Sequence, residues 1–142
     1  MKYVREIAAI AFFLGTTVPA FADCAQSDAA GSWTAYSVGV NKGQTFWLKC
    51  ALTIEQTGTI AEKSSQCVDS AGASTKVGGS VKLEYKDSCT YTGVIKYEAI
   101  GESSFIDQAT LSVNNQMVEG VGKFKDQPVS LSMVRVDVVK KK

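Results

Sequence analysis

The chain has 142 residues, 15 lysines and arginines against 14 acidic residues, no histidine and four cysteines, with hydrophobic residues making up 45%. So even a charge balance builds no basic field of the kind phosphate backbones require, which excludes general nucleic-acid binding. Without histidine, GxSxG, a glycine-rich phosphate loop or CxxC, the ordinary constellations for nucleophilic, phosphoryl-transfer and redox catalysis are missing too.

Residues 1–22 read as a signal peptide. Lys2 and Arg5 form a positive start, Ile7 to Val18 an apolar stretch, and Ala20-Phe21-Ala22 a small-x-small cleavage site. A membrane anchor needs about 18 to 20 apolar residues. This stretch is shorter and is broken by Gly15, Thr16, Thr17 and Pro19. Asp23 stands between the cleavage site and Cys24, which argues against lipidation of that cysteine. No membrane span is expected after cleavage, and the location expected is periplasmic or secreted. Lys2, Arg5 and Glu6 leave with the leader, so the remaining part has a net charge of zero.

Residues 23–142 suit one compact domain with a core of its own. No segment keeps apolar residues at helical spacing for three turns, whereas β-branched and aromatic residues recur in short runs between turn residues. Eight strands are expected, at about 32–40, 45–56, 59–68, 74–85, 89–99, 103–113, 116–124 and 128–138. The clearest alternates Phe46, Leu48, Cys50, Leu52 and Ile54 against Trp47, Lys49, Ala51, Thr53 and Glu55, a half-buried pattern. The joints, among them Asn41-Lys42-Gly43, Thr57-Gly58, Asn114-Asn115 and Asp126-Gln127-Pro128, are short and rich in turn residues. Gly78-Gly79 falls inside the fourth run and marks a bend. The fold class is therefore all-β, an eight-stranded antiparallel up-and-down meander that resolves its edges by closing into a barrel. A β-sandwich is the alternative. Lys140, Lys141 and Lys142 read as a solvated tail.

All four cysteines lie beyond the leader, where an even count implies two disulfides. A zinc site would need all four thiolates in an oxidising compartment, so neither a metal nor a cofactor is expected. In a meander, Cys50 and Cys67 face each other across the Gly58-Thr59 turn. Cys24, leading into the first strand, lies at the same end as Cys89, which opens the fifth. The expected pairs are Cys50 with Cys67 and Cys24 with Cys89, at Cα separations of about 4.4 to 6.8 Å. The segment from Cys24 to Ser32 then crosses that end of the barrel as a lid. A Cys67–Cys89 bond would contradict the meander.

Gly31-Ser32-Trp33 opens the first strand, and Arg135 shares a face of the last with Leu131 and Met133. Together these resemble the calycin superfamily of lipocalins, avidins and bacterial metalloprotease inhibitors. The resemblance implies that Trp33 packs at the closed end of a barrel beneath Arg135. No further lipocalin motif is present, and the sequence ends without the C-terminal helix of that family.

The function expected is that of a non-enzymatic binding protein holding a small, partly apolar ligand among Phe46, Leu48, Leu52, Ile54 and Trp47. The alternative is a protein-interaction module, such as a protease inhibitor or envelope-associated factor, whose partner is an extracytoplasmic protein. Trp33 and Trp47 can equally serve packing, and Tyr85, Tyr91 and Tyr97 can form an aromatic ladder on one face. The carboxylate pairs Glu55 with Glu62 and Glu84 with Asp87 lie beside turns, where carboxylates are ordinarily solvated.

Overall fold

A computed structural model describes residues 23–136. The expected signal peptide and lysine tail lie outside those residues. The first hairpin joins β1 (Gly31–Asn41) to β2 (Gln44–Ile54). Its loop is only Lys42-Gly43, both at positive φ (49° and 78°), the primed geometry that matches the twist of flanking strands. There follow β3 (Thr59–Ile60), β4 (Gln66–Asp69), β5 (Ser74–Tyr85), β6 (Thr90–Tyr97), β7 (Glu102–Leu111), β8 (Met117–Phe124) and β9 (Gln127–Arg135). The loop between β8 and β9 is again two residues at positive φ, Lys125 and Asp126.

Pairing is antiparallel throughout, and β1 bonds both β2 and β9, from Trp33 opposite Arg135 to Gly39 opposite Val129. The sheet thus closes, as expected of the barrel and not of the sandwich. One expected strand differs: the run 59–68 is two pieces, β3 and β4, separated by a 3-10 turn at Glu62–Ser64. Residues 61–65 there stand opposite Leu52 and Thr53 of β2 and Val77 and Gly78 of β5, so the excess must loop out of the wall. The Ser65 hydroxyl accepts from Thr53 N–H at 2.9 Å, and Val77 N–H donates to the Ser65 carbonyl at 3.2 Å, so the interrupted ladder stays satisfied. Gly79, opposite Ile60, has φ +127°, and a Cβ there would overlap the carbonyl of Val94. This is the bend expected within the fourth run.

Both disulfides pair as expected. Cys24 and Cys89 have Cα atoms 5.3 Å apart. Cys50 and Cys67 are directly opposed on β2 and β4, and at 4.0 Å they are slightly closer than expected because cross-strand opposition itself brings Cα atoms together. Among the described residues, no helix is long and apolar enough to cross a membrane.

The N-terminal segment closes one end of the barrel. Cys24 N–H donates to the Lys86 carbonyl, the Gln26 side chain accepts from Leu83 N–H at 2.7 Å and donates to the Val81 carbonyl, and the Tyr91 hydroxyl donates to the Ala25 carbonyl at 2.8 Å. A 3-10 turn, Gln26–Ala29, carries the chain to Trp33, which is only 1% exposed and donates its indole N–H to Ala29 at 2.9 Å. Arg135 lies 4.4 Å from the Trp33 ring, the contact the resemblance implied. Its three nitrogens donate to the carbonyls of Asn115 (2.6 Å), Ala30 (2.5 Å) and Asp28 (2.7 Å). Gly31 makes room for this: its φ is +136°, and a Cβ would overlap the Arg135 Nη1.

Burial, with a smaller effect of the Asp28 carboxylate, pushes the Tyr91 hydroxyl up to about 12, against an opposing pull from Arg135. Its folded value lies above its unfolded one, so its contribution to stability is full below about pH 10 and is lost as pH rises toward about 12. Urea unfolding should therefore give a lower midpoint at about pH 11.5 than at about pH 9, with a smaller difference in Tyr91→Phe. An equal difference in the variant would show that other groups govern the alkaline loss.

Candidate functional site

The two ends of the barrel differ. At the end opposite the Trp33 closure, the hairpin loops surround an open cavity of about 370 Å³. Three aromatic rings meet there: Phe46 from β2, Tyr97 from the end of β6 and Phe124 from the end of β8. They come together because neighbouring strands alternate in direction, β3 and β4 running the same way as two pieces of one position, so the start of β2 and the ends of β6 and β8 share one end. Phe46 and Phe124 are tilted at 52° with centroids 5.8 Å apart, and Tyr97 meets Phe124 edge to face at 5.5 Å. The Tyr97 hydroxyl and the Ser104 hydroxyl share a buried hydrogen bond of 2.8 Å. Burial raises the Tyr97 pKa, partly opposed by that bond, so Tyr97 is a neutral wall residue and no proton donor near neutrality.

Leu48 and Cys67 form part of the lining. Below them inward side chains pack together, and two voids among them are only about 20 Å³ each, one bounded by Cys50 and Ile95 and the other by Trp33 and Ile54. The cavity is therefore a cup and not a through-going calyx. At its lip, Lys125 lies 5.6 Å from the Phe124 ring and pairs with Glu102 at 3.5 Å. An Asp69 oxygen accepts from Ala71 and Ala73 N–H, each at 2.9 Å, which commits it to its own turn. Among the described residues, no three His, Cys, Asp or Glu side chains converge as a metal site would require.

Of the five expected ligand residues, the structure places Phe46 and Leu48 in the cup, whereas Trp47 is on the outward face of β2 and reaches only the rim. Leu52 and Ile54 lie in the buried core toward the closed end, Ile54 beside the same small void as Trp33. The reason is length: from Phe46 to Ile54 the strand advances roughly 26 Å, so one inward face serves both mouth and floor. Trp47 lies at the lip, is 43% exposed and stands opposite Val38. Tyr91 and Tyr97 both turn inward but to opposite ends. Tyr85, 65% exposed beside a register shift between Leu83 and Tyr85, leaves the ladder expected of the three. Phe124 and Lys125 were not among the expected site residues. Tracing which strand ends share the mouth would have gathered Phe124 with Phe46 and Tyr97.

No protein-family model matches the chain, and no curated protein matches it. Among solved structures it is similar to a redesigned β-barrel, with a TM-score of 0.60 and 19% identity over 80% of this chain and 96% of that one. That likeness is one of fold: the chain is a small closed β-barrel.

Proposed function

We propose that this protein is an exported, non-enzymatic binding protein that holds a small, partly apolar molecule in the open cup. The observation that carries the reading is the aromatic-walled cavity of about 370 Å³ above an otherwise filled barrel, within the roughly 300–1,000 Å³ usual for small-molecule sites. Two disulfides are consistent with a non-cytoplasmic location, and the leader pattern of residues 1–22 supports a periplasmic or secreted one. The Gly31, Trp33 and Arg135 arrangement supports a calycin-like relationship. The lack of histidine, with Asp69 committed to its turn, favours binding over catalysis.

Native mass spectrometry of protein purified from its own envelope tests the reading. A small molecule retained in the folded protein and released on denaturation is expected. Protein free of any adduct, and not thermally stabilised by any member of a small-molecule library, would overturn it.

A second reading, a protein-interaction module, is favoured by the exposed outer stripe of Tyr36, Val38, Val40 and Trp47 on β1 and β2. The inhibitor form of that reading is weakened by the Cys24–Cys89 bond, which ties down the tail that metalloprotease inhibitors insert into their target.

A further inference from the structure

We infer that the cup selects a flat aromatic or heteroaromatic ring system over an acyl chain or an alicyclic body of equal size. The inference rests on the binding reading above and specifies the ligand class.

Shape supplies the first argument. An extended chain needs depth, and depth is missing: Leu48 and the Cys50–Cys67 bond fill the section under the cup, and the voids between the buried side chains are about 20 Å³ each. A volume of about 370 Å³ at the mouth, with packed side chains beneath it, suits a compact body better than an extended chain. The walls supply the second. Phe46 and Phe124 are each only partly buried, so their rings stay available to a ligand, and Tyr97 already fixes Phe124 by an edge contact. Rings prefer offset or edge-to-face partners, and such pairs gain attraction beyond the area they bury. An alicyclic molecule gains only the area. The lip supplies the third: Asn41, Gln44 and Gln127 line the opening with amide donors and acceptors, suited to a heteroatom at a ring edge. An alkyl tail has no use for them.

The test is calorimetric titration of the disulfide-intact protein with naphthol, decahydronaphthol and decanol. Naphthol is expected to bind about three- to tenfold more tightly than decahydronaphthol, and decanol no better than decahydronaphthol. Phe124→Leu, which keeps an apolar wall without the ring, should weaken naphthol about two- to fivefold and leave decahydronaphthol unchanged. The wild-type comparison stands even if that variant fails to fold. Decahydronaphthol or decanol binding as tightly as naphthol would overturn the aromatic preference and leave the binding reading intact. Failure of all three probes, together with adduct-free protein in native mass spectrometry, would overturn both.

Discussion

Arg135→Leu is expected to lower stability by about 3–5 kcal/mol while leaving the barrel pairing intact. The guanidinium bonds three carbonyls from separate segments, Asp28 and Ala30 in the closing segment and Asn115 in the β7–β8 turn, and its face rests on Trp33. Hydrogen bonds to a charged group are worth about 1.5–3 kcal/mol each, and the cation–π contact about 0.5–2 kcal/mol. Water reaching the part-buried carbonyls and the cost of desolvating the guanidinium bring the total below their sum. Leucine supplies none of the donors and leaves three acceptors around an apolar side chain. Arg135→Lys keeps the charge but loses the fork, and should recover less than half of the loss. Urea unfolding with far-ultraviolet dichroism checks both the midpoint and the fold. A loss under about 1 kcal/mol would show that Arg135 decorates the closed end without holding it.

Removing the Cys24–Cys89 bond by Cys24→Ala with Cys89→Ala should cost about 4 kcal/mol, because it releases a constraint across a sequence separation of 65 residues in the unfolded chain. For the separation of 17 between Cys50 and Cys67 the same argument gives about 3 kcal/mol. The two losses should look different in the folded state. Cys50 and Cys67 remain neighbours through the β2–β4 ladder. The closing segment instead depends on separate hydrogen bonds once its covalent tie is gone, Ala25 and Gln26 to the wall and the Asp28, Ala29 and Ala30 carbonyls to Arg135 and Trp33. Limited proteolysis should therefore cut within residues 24–30 in the first variant and spare the second. Resistance of that segment in both would show that Arg135, Tyr91 and Gln26 suffice to hold it.

At the closed end, two short stretches of sequence act together. A Gly-x-Trp opening a strand is a common pattern by itself. Here the glycine is required because Arg135 occupies the space of its Cβ, and the tryptophan is required because it is the platform for that arginine. Gly31 and Trp33 form one unit with Arg135 from the far end of the domain, and its parts have meaning only once the last strand returns beside the first.

Local chemistry in the sequence determined the strand class, the turn positions and the direction of each strand, because period-two alternation and turn residues act within a few positions. Strand direction in turn determined the disulfides, since among the eight expected runs the starts of the first and fifth share one end, which places Cys24 with Cys89, and Cys50 lies beside Cys67 across a hairpin. The break in the third strand was partly legible: Glu62, Lys63, Ser64 and Ser65 are four polar residues in succession, which no half-buried strand can alternate. That these residues leave the wall was decided by the neighbours, whose registers leave only Leu52, Thr53, Val77 and Gly78 to face them. The site divided in the same way. Alternation showed that Phe46, Leu48, Leu52 and Ile54 share one face, but whether that face lines a cavity or a packed core depends on what stands across the barrel. Only the tertiary structure placed Tyr97 and Phe124 beside Phe46 at the mouth while Trp33 and its neighbours filled the space around Ile54, because cavity volume is a property of facing side chains and not of any one strand.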